Sequence, residues 1–252
     1  MNDVMDTSNV YSYGIDWSKL KLDLPKSQKK HKAPAKRYVC IDLEMTEFTA
    51  SQRSCVPGAN GEVIQFGAVM LDEKLNTVKQ FREYVKPVYN TEVVRKVRSL
   101  TGITTEMLED ADPFCPVFDR FIRWCGEEEY QIFSWSDSDI YQMMDELLLK
   151  YPQDRPEISY MLNHWQDFQE EFSRLLSLGR VVSLSKAVEM AGLDFAGKAH
   201  GALPDADNTA KLYKASRDSE QFRRIRRIWE DAMTPHVFTF GDMFNFTELQ
   251  LA

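Results

Sequence analysis

Three β-type segments follow one another in the first part of the chain, with no room for helices between them. They cover residues 38–41, 62–71 and 80–85 and are bounded by turn-forming pairs such as Asn60-Gly61 and Lys86-Pro87. Short apolar runs between such turns are typical of strands. The succession therefore predicts an antiparallel meander.

The pattern then changes to segments with helical spacing, interrupted by two short strands. Strands are predicted at residues 131–133 and 164–168, and helices at 104–110, 113–125, 137–150, 168–178, 183–191 and 204–217. A meander followed by alternating β and α segments predicts an α/β fold with helices packed against a sheet. The expected architecture is a mixed five-stranded sheet, a meander followed by parallel strands, with helices on both faces.

The composition excludes several other classes of protein. The chain has 252 residues, of which 43% are hydrophobic, and no apolar run approaches the length of about 18–20 residues that spans a bilayer. The polar, acidic start MNDVMDTSNV does not resemble a signal peptide. The four cysteines form no CxxC pair, so we expect reduced thiols, no structural zinc, no membrane association and a cytoplasmic location.

The charge is unevenly distributed along the chain. Residues 1–36 hold seven Lys and four Asp, a balance of +3, and residues 221–252 are neutral, so the net charge of −8 leaves −11 on the middle. We predict a basic tail over 1–36, one domain over 37–220 and a partly helical extension over 221–252. The acidic middle fits either a hydrated surface or carboxylates gathered around cations.

An Asp-x-Glu pair, Asp42 and Glu44, stands at the end of the first predicted strand. Side chains alternate along a strand, so both carboxylates project from one face while Ile41 and Leu43 point to the other. Two neighbouring carboxylates repel each other unless a proton or a cation lies between them. Such a pair alone is more often a hydrated strand end than a cation site.

Asp139 stands in the first turn of the helix predicted after the fourth strand. Its position places it on the inner side, one turn before the apolar residue Met143. Ser136 and Asp139 also have the spacing of a capping box, in which an acid complements the helix dipole. Asp137 is a competing candidate, either as the N-cap or as the functional acid.

His200 precedes Asp205 near the start of the last predicted helix of the domain. Pro204 suits a helix start, and Asp207 lies about 200° around the helix from Asp205, so only one of the two acids can face a shared site. Histidine can gain and lose a proton near neutral pH. Taken alone, His200 fits a packing role equally well.

In their order and spacing, these three motifs resemble the DEDDh family of 3′–5′ exonucleases, which have a ribonuclease-H-like fold. The resemblance runs from about residue 37 to residue 217 and includes the segments VIQFGAVMLDE, SLTGITTEMLEDADPF and HGALPDADNTAKL. The chain is most similar to the branch that holds the histone-mRNA and small-RNA exonucleases and the bacterial sporulation-pathway exonucleases. The run DLEMT also resembles oligoribonuclease.

The resemblance implies a catalytic centre in which four acids bind two divalent cations, Mg²⁺ or Mn²⁺. The matching acids are Asp42, Glu44, Asp139 and Asp205. Oxygen ligands without a cysteine cluster favour such hard cations over zinc. The resemblance makes His200 the general base that activates the attacking water, and the product a nucleoside 5′-monophosphate.

The resemblance also implies contacts with the 3′-terminal nucleotide. It assigns them to Met45 and Thr46, and Trp135 is a candidate for stacking on a base. For Met45 a core position is an equal alternative, and for Trp135 a core position is favoured.

The expected function is therefore metal-dependent 3′–5′ exonuclease activity on single-stranded nucleic acid, with RNA favoured over DNA. One competitor is an oligoribonuclease-like or DNA-directed enzyme on the same fold. Another is a catalytically inactive nucleic-acid-binding or regulatory protein, which would need neither the four acids nor the histidine.

Overall fold

The computed structural model of the protein describes residues 35–49, 59–151 and 155–233. The expectations for the basic tail, for the last part of the C-terminal extension and for Cys55 fall on residues outside these ranges.

The strands form one five-stranded sheet in the order β3-β2-β1-β4-β5. Their bounds are β1 Arg37–Met45, β2 Val63–Asp72, β3 Thr77–Tyr84, β4 Tyr130–Ser134 and β5 Trp165–Asp167. The pairs β1–β2 and β2–β3 are antiparallel, whereas β1–β4 and β4–β5 are parallel. This topology confirms the predicted meander followed by parallel strands.

Nine helices surround the sheet within the described residues. They are α1 Arg95–Thr101, α2 Thr105–Leu108, α3 Phe114–Cys125, α4 Ser138–Lys150, α5 Pro156–Asn163, α6 Phe168–Leu175, α7 Leu184–Met190, α8 Ala202–Arg217 and α9 Ser219–Met233. None of the described helices is both long and apolar enough to cross a bilayer.

The sheet separates two hydrophobic cores, because successive β1 residues point to opposite faces. Ile41 and Leu43 belong to the first core, with α3, α4 and α5, whereas Cys40 belongs to the second, with α6, α7, α8 and α9. Helices therefore cover both faces, as predicted. Asp42 and Glu44 continue the side of β1 that faces the second core.

The structure differs from the sequence-based expectation at several elements. Helices α1 and α5 were not predicted, β3 begins at Thr77 rather than at residue 80, and α8 begins at Ala202 rather than at residue 204. The first four residues of β3 are exposed, so they show no alternation of buried and exposed positions. In the C-terminal extension, Ile225 and Trp229 of α9 are buried in the second core.

Candidate active site

The end of β1 brings Asp42 and Glu44 to one side of the sheet, and both are partly buried. In the pairing with β2, Asp42 lies opposite Gly67 and Glu44 opposite Gln65. The register shifts between Glu44 and Met45, where a bulge ends the regular pairing. Beyond the bulge, the Thr46 N–H still donates to the carbonyl of Glu62 and the Phe48 N–H to that of Asn60, both at 2.7 Å, so the chain continues beside the segment that leads into β2.

Helix α4 supplies Asp139, which is only 4% exposed. Its Oδ1 atom accepts a hydrogen bond of 2.8 Å from the backbone N–H of Leu43, between the two acids of β1. Asp137 occupies the N-cap position, is exposed and makes no side-chain capping bond. The structure thus brings Asp139, and not Asp137, to the acids of β1.

Helix α8 supplies Asp205 in its first turn, and His200 stands in the preceding loop. The backbone N–H of His200 donates to Asp205 Oδ2 at 3.1 Å, and His200 has a left-handed backbone with φ of 62°. Asp207 points elsewhere, with its Oδ2 atom 3.6 Å from the Nζ of Lys211. As the helical spacing predicted, only one of the two acids faces the shared pocket.

These segments enclose one pocket. Carboxylate oxygens of Asp42, Glu44 and Asp205 lie within 4.8 Å of one another, the one such group of potential metal ligands found among the described residues. The pocket is lined by Asp42, Leu43, Glu44, Met45, Trp135, Ser136, Ser138, Asp139, Gln169, Ser183, Leu184, Ser185, Ala199, His200 and Asp205.

Burial and mutual repulsion favour protonation of these acids in the absence of a cation. Burial raises the pKa of Asp42 well above its ordinary value, and the charges of Asp139 and Glu44 raise it further. The pKa of Glu44 rises to about 8, through burial and then the charges of Asp205 and Asp139.

The pKa values of the other two acids, Asp139 and Asp205, are also raised. Burial raises the pKa of Asp139 to about 7, although the hydrogen bond from the Leu43 N–H lowers it. Burial also raises the pKa of Asp205, against the opposing effect of the hydrogen bond from the His200 N–H. The pocket therefore concentrates negative charge that either protons or cations must neutralise.

The residues present fit a divalent cation. Asp205 Oδ1 is buried and has no hydrogen-bond partner among the described residues, so a polar atom of one of the clustered acids is left unsatisfied. Such an atom is costly unless something binds it. All the ligand atoms are carboxylate oxygens, the donors that hard cations such as Mg²⁺ and Mn²⁺ prefer.

Of the three residues expected to contact a nucleotide, Met45 and Trp135 line the pocket and Thr46 does not. Met45 lines the pocket and also packs against the first core. Trp135 lines the pocket while only 6% exposed, and its Nε1–H donates to the carbonyl of Val182 at 3.2 Å. The structure does not bring Thr46 to the pocket, because its side chain is buried and its Oγ1 accepts from the N–H of Glu62 at 3.0 Å.

One wall of the pocket was not foreseen from the sequence. Gln169 lines it and donates from Nε2 to the carbonyl of Val182 at 2.7 Å, the same carbonyl that Trp135 uses. These bonds hold the segment that begins α7, where Ser183 and Ser185 line the pocket. Nothing in the sequence indicates this wall, because Gln169 is far in sequence from Ser183 and Ser185 and the three residues form no recognisable motif.

Comparison with known proteins places this chain in a family. Residues 39–213 match the family model described as Exonuclease (RNase_T), which is well over half of the 252 residues. The chain therefore belongs to this exonuclease family.

Two relatives illustrate the similarity. The 3′-5′ exoribonuclease 1 of Homo sapiens is 28% identical over 188 residues, which cover 69% of this chain and 51% of the relative. The 3′-5′ exonuclease crn-4 of Caenorhabditis elegans is 28% identical over 191 residues, covering 71% of this chain and 62% of the relative. The chain thus spans about half the length of the human relative.

Solved structures share the fold. The nuclease domain of 3′hExo, described as a DEDDh family member bound to rAMP, aligns with a TM-score of 0.63 at 23% identity, covering 73% of this chain and 93% of that one. E. coli exonuclease I in complex with a dT13 oligonucleotide aligns with a TM-score of 0.56 at 15% identity, covering 77% and 43%. The expected ribonuclease-H-like fold is thereby confirmed, and the family model confirms that the chain is an exonuclease-family member.

Proposed function

We propose that this protein is a metal-dependent 3′–5′ exonuclease that hydrolyses single-stranded nucleic acid, preferentially RNA, to nucleoside 5′-monophosphates. The observation that carries the proposal is the convergence of β1, α4 and α8 on one acidic pocket beside His200. The relatives named as 3′-5′ exoribonucleases support the direction of attack and the preference for RNA.

Two Mg²⁺ or Mn²⁺ ions are the proposed cofactors. Asp42, Glu44, Asp139 and Asp205 would hold them, since these four acids line the pocket and three have oxygens within 4.8 Å of one another. When bound, such ions stabilise the charge that develops on the attacking and leaving oxygens of a phosphodiester. The acids would keep the ions in place and, as carboxylates, would neutralise their charge.

His200 is the proposed general base. It lines the pocket beside Asp205 and is exposed, so its side chain is free to reach a water molecule at the scissile phosphate. A ring nitrogen of His200 accepts the proton as the water oxygen attacks phosphorus and the bond to the 3′-oxygen of the preceding nucleotide breaks. The hydrogen bond from the His200 N–H to Asp205 Oδ2 holds the loop through the backbone and does not engage the ring.

Met45 and Trp135 are the proposed contacts of the 3′-terminal nucleotide, because both line the pocket next to the acids. The buried Trp135 ring is held at its Nε1 atom, so any face turned to the pocket is a rigid surface for a base. For Thr46, whose hydroxyl is engaged by Glu62, a contact through the side chain is not proposed.

The proposed location is the cytoplasm, and the one observation that supports it is the state of the cysteines. Cys40, Cys115 and Cys125 are free thiols in the structure, which suits a reducing compartment.

The test is incubation of the purified chain with 5′-labelled single-stranded RNA, DNA of the same sequence and a dinucleotide, each with Mg²⁺ or with EDTA. We expect stepwise shortening of RNA from its 3′ end, release of nucleoside 5′-monophosphates and complete inhibition by EDTA. Asp42→Asn serves as the inactive control. Preference for the dinucleotide or for DNA would favour the first competitor, and binding without hydrolysis would favour an inactive regulatory protein.

A further inference from the structure

Two residues of β2 stand directly opposite the two acids of β1. Asp42 pairs with Gly67, and Glu44 pairs with Gln65. Residues opposite each other in an antiparallel pair project to the same side of the sheet. Gly67 and Gln65 therefore occupy the acid-bearing face, beside the pocket.

Gly67 leaves the space in which α8 begins. A Cβ atom at this position would lie 2.0 Å from the carbonyl carbon of Ala202 and 2.1 Å from the nitrogen of Leu203. Both neighbours are backbone atoms, which cannot move aside as the end of a flexible side chain can. The absence of a side chain at Gly67 thus lets the start of α8 pack against β2.

Gln65 holds the same helix start by a hydrogen bond. Its side chain is 2% exposed, and Oε1 accepts from the N–H of Ala202 at 3.1 Å. The first N–H groups of a helix have no partner within the helix, and the N-cap residue Gly201 supplies no side-chain cap. A glutamine 137 positions earlier in the chain takes over this role.

The contact point lies between His200 and Asp205. Ala202 follows His200 by two residues and precedes Asp205 by three, and the His200 N–H is bonded to Asp205 Oδ2. A shift of the helix start would therefore move both groups relative to Asp42 and Glu44.

We propose that Gln65 and Gly67 are positioning residues that fix the start of α8 against β2 and so set the distance between the acids of β1 and the His200–Asp205 pair. The consequence for turnover rests on the proposed function, whereas the structural role does not. Neither residue touches the substrate in this account. Each acts through the backbone of Ala202.

The first test compares Gln65→Leu with Tyr160→Phe. The hydroxyl of Tyr160 accepts from the Tyr130 N–H at 3.0 Å at the opposite end of the sheet, so the control also removes a side-chain partner of a backbone N–H. We expect Gln65→Leu to lower kcat by about 100-fold, the effect of a displacement near 1 Å, with KM for RNA changed less than about threefold. Tyr160→Phe should keep both constants, even if its Tm falls equally.

Two measurements without turnover separate this inference from the proposed function. Hydrogen exchange at the Ala202 amide should be at least about tenfold faster in Gln65→Leu and unchanged in Tyr160→Phe, because the amide loses its acceptor. The rise in Tm produced by Mg²⁺ should shrink in Gln65→Leu only. If the wild-type chain hydrolyses nothing, the proposed function fails, while the exchange result still decides the role of Gln65.

A second pair of variants tests Gly67. Gly67→Ala should reduce kcat and the Mg²⁺-induced rise in Tm. Gly179→Ala should change neither, because a Cβ at Gly179 meets no atom of the described residues within 4 Å. If Gly67→Ala does not fold, the results for Gln65→Leu alone decide the proposal. A folded Gln65→Leu protein with wild-type Ala202 exchange, kcat and Mg²⁺ response would overturn the proposal.

Discussion

The backbone N–H of Leu43 donates a hydrogen bond of 2.8 Å to Asp139 Oδ1, although 96 residues separate the two in sequence. The bond ties the start of α4 to β1 between Asp42 and Glu44. It also turns one oxygen of Asp139 toward the backbone. The third acid is thus positioned by the strand that carries the first two.

Replacing Asp139 by Asn should abolish most of the activity while leaving the fold intact. An amide oxygen can still accept from Leu43, but the negative charge is lost. We expect both Mg²⁺ affinity and turnover to decrease by more than about 10–100-fold, which is the effect of losing a residue that only supports a metal ligand. Calorimetric titration with Mg²⁺ and a nucleotide-release assay measure the two effects.

Asp137→Asn is the matched control, because Asp137 is exposed and makes no side-chain capping bond. Its activity should stay within about twofold of wild type, as is usual for exposed positions. Loss of activity in Asp137→Asn with a silent Asp139→Asn would show that the third acid has been wrongly assigned.

A corresponding comparison tests the face of α8. Asp205→Asn removes charge from the acidic pocket and should reduce Mg²⁺ affinity and turnover strongly. Asp207→Asn breaks only a partly exposed ion pair with Lys211, which contributes less than about 1 kcal/mol. Steady-state kinetics at several Mg²⁺ concentrations should therefore separate the variants, and equal losses in both would contradict the assignment.

His200→Asn should lower kcat by about 10²–10⁴-fold, the usual contribution of a general base. Asn tolerates the left-handed backbone found at this position, and the N–H that bonds Asp205 Oδ2 is retained. Mg²⁺ affinity should therefore change little. Unchanged turnover in this variant would remove His200 from the reaction.

The stability of the metal-free protein should decrease as the pH rises, because the acids of the pocket then lose their protons. The pKa of Glu44 is raised from its ordinary 4.5 to about 8, so between these values the folded protein binds more protons than the unfolded chain. This contribution to stability is complete below pH 4.5 and is lost as the pH rises toward 8.

Asp139, whose pKa is raised to about 7, also contributes stability that is lost as the pH rises, in this case toward 7. Thermal unfolding in EDTA should therefore show a lower Tm at pH 8 than at pH 6, by about 2–4 °C for each kcal/mol lost. Mg²⁺ should restore more stability at pH 8 than at pH 6, since cations then replace the protons. A Tm in EDTA that rises with pH through this interval would contradict the account.

The sequence predicted the sheet well because its central strands are buried on both faces and therefore form apolar runs between turns. In β1, Val39, Ile41 and Leu43 pack in the first core and Cys40 packs in the second. Helix α1 was not predicted because Val97 is its one buried residue, which leaves no apolar stripe in the sequence. Helix α5 did carry a signal, with Pro156 in its first turn and buried Ile158, Met161 and Leu162 at helical spacing.

Local spacing predicted part of the site, and the family resemblance supplied the grouping of the four acids and the role of His200. Helical geometry separated Asp205 from Asp207, and placed Asp139 on an inner face. It could not reveal that Gln65 caps a helix 137 residues away or that Gly67 leaves room for backbone. Those roles depend on how β2 and α8 pack, and no local pattern in either segment records that contact.

A crystal of the chain grown with Mn²⁺ and measured for anomalous scattering at the manganese edge would show whether the acidic pocket binds metal. We expect anomalous density bounded by the carboxylates of Asp42, Glu44 and Asp205, with Asp139 facing it, and loss of this density in Asp42→Asn. A saturated crystal with no manganese between these acids, or with density unaffected by Asp42→Asn, would contradict the proposed metal site.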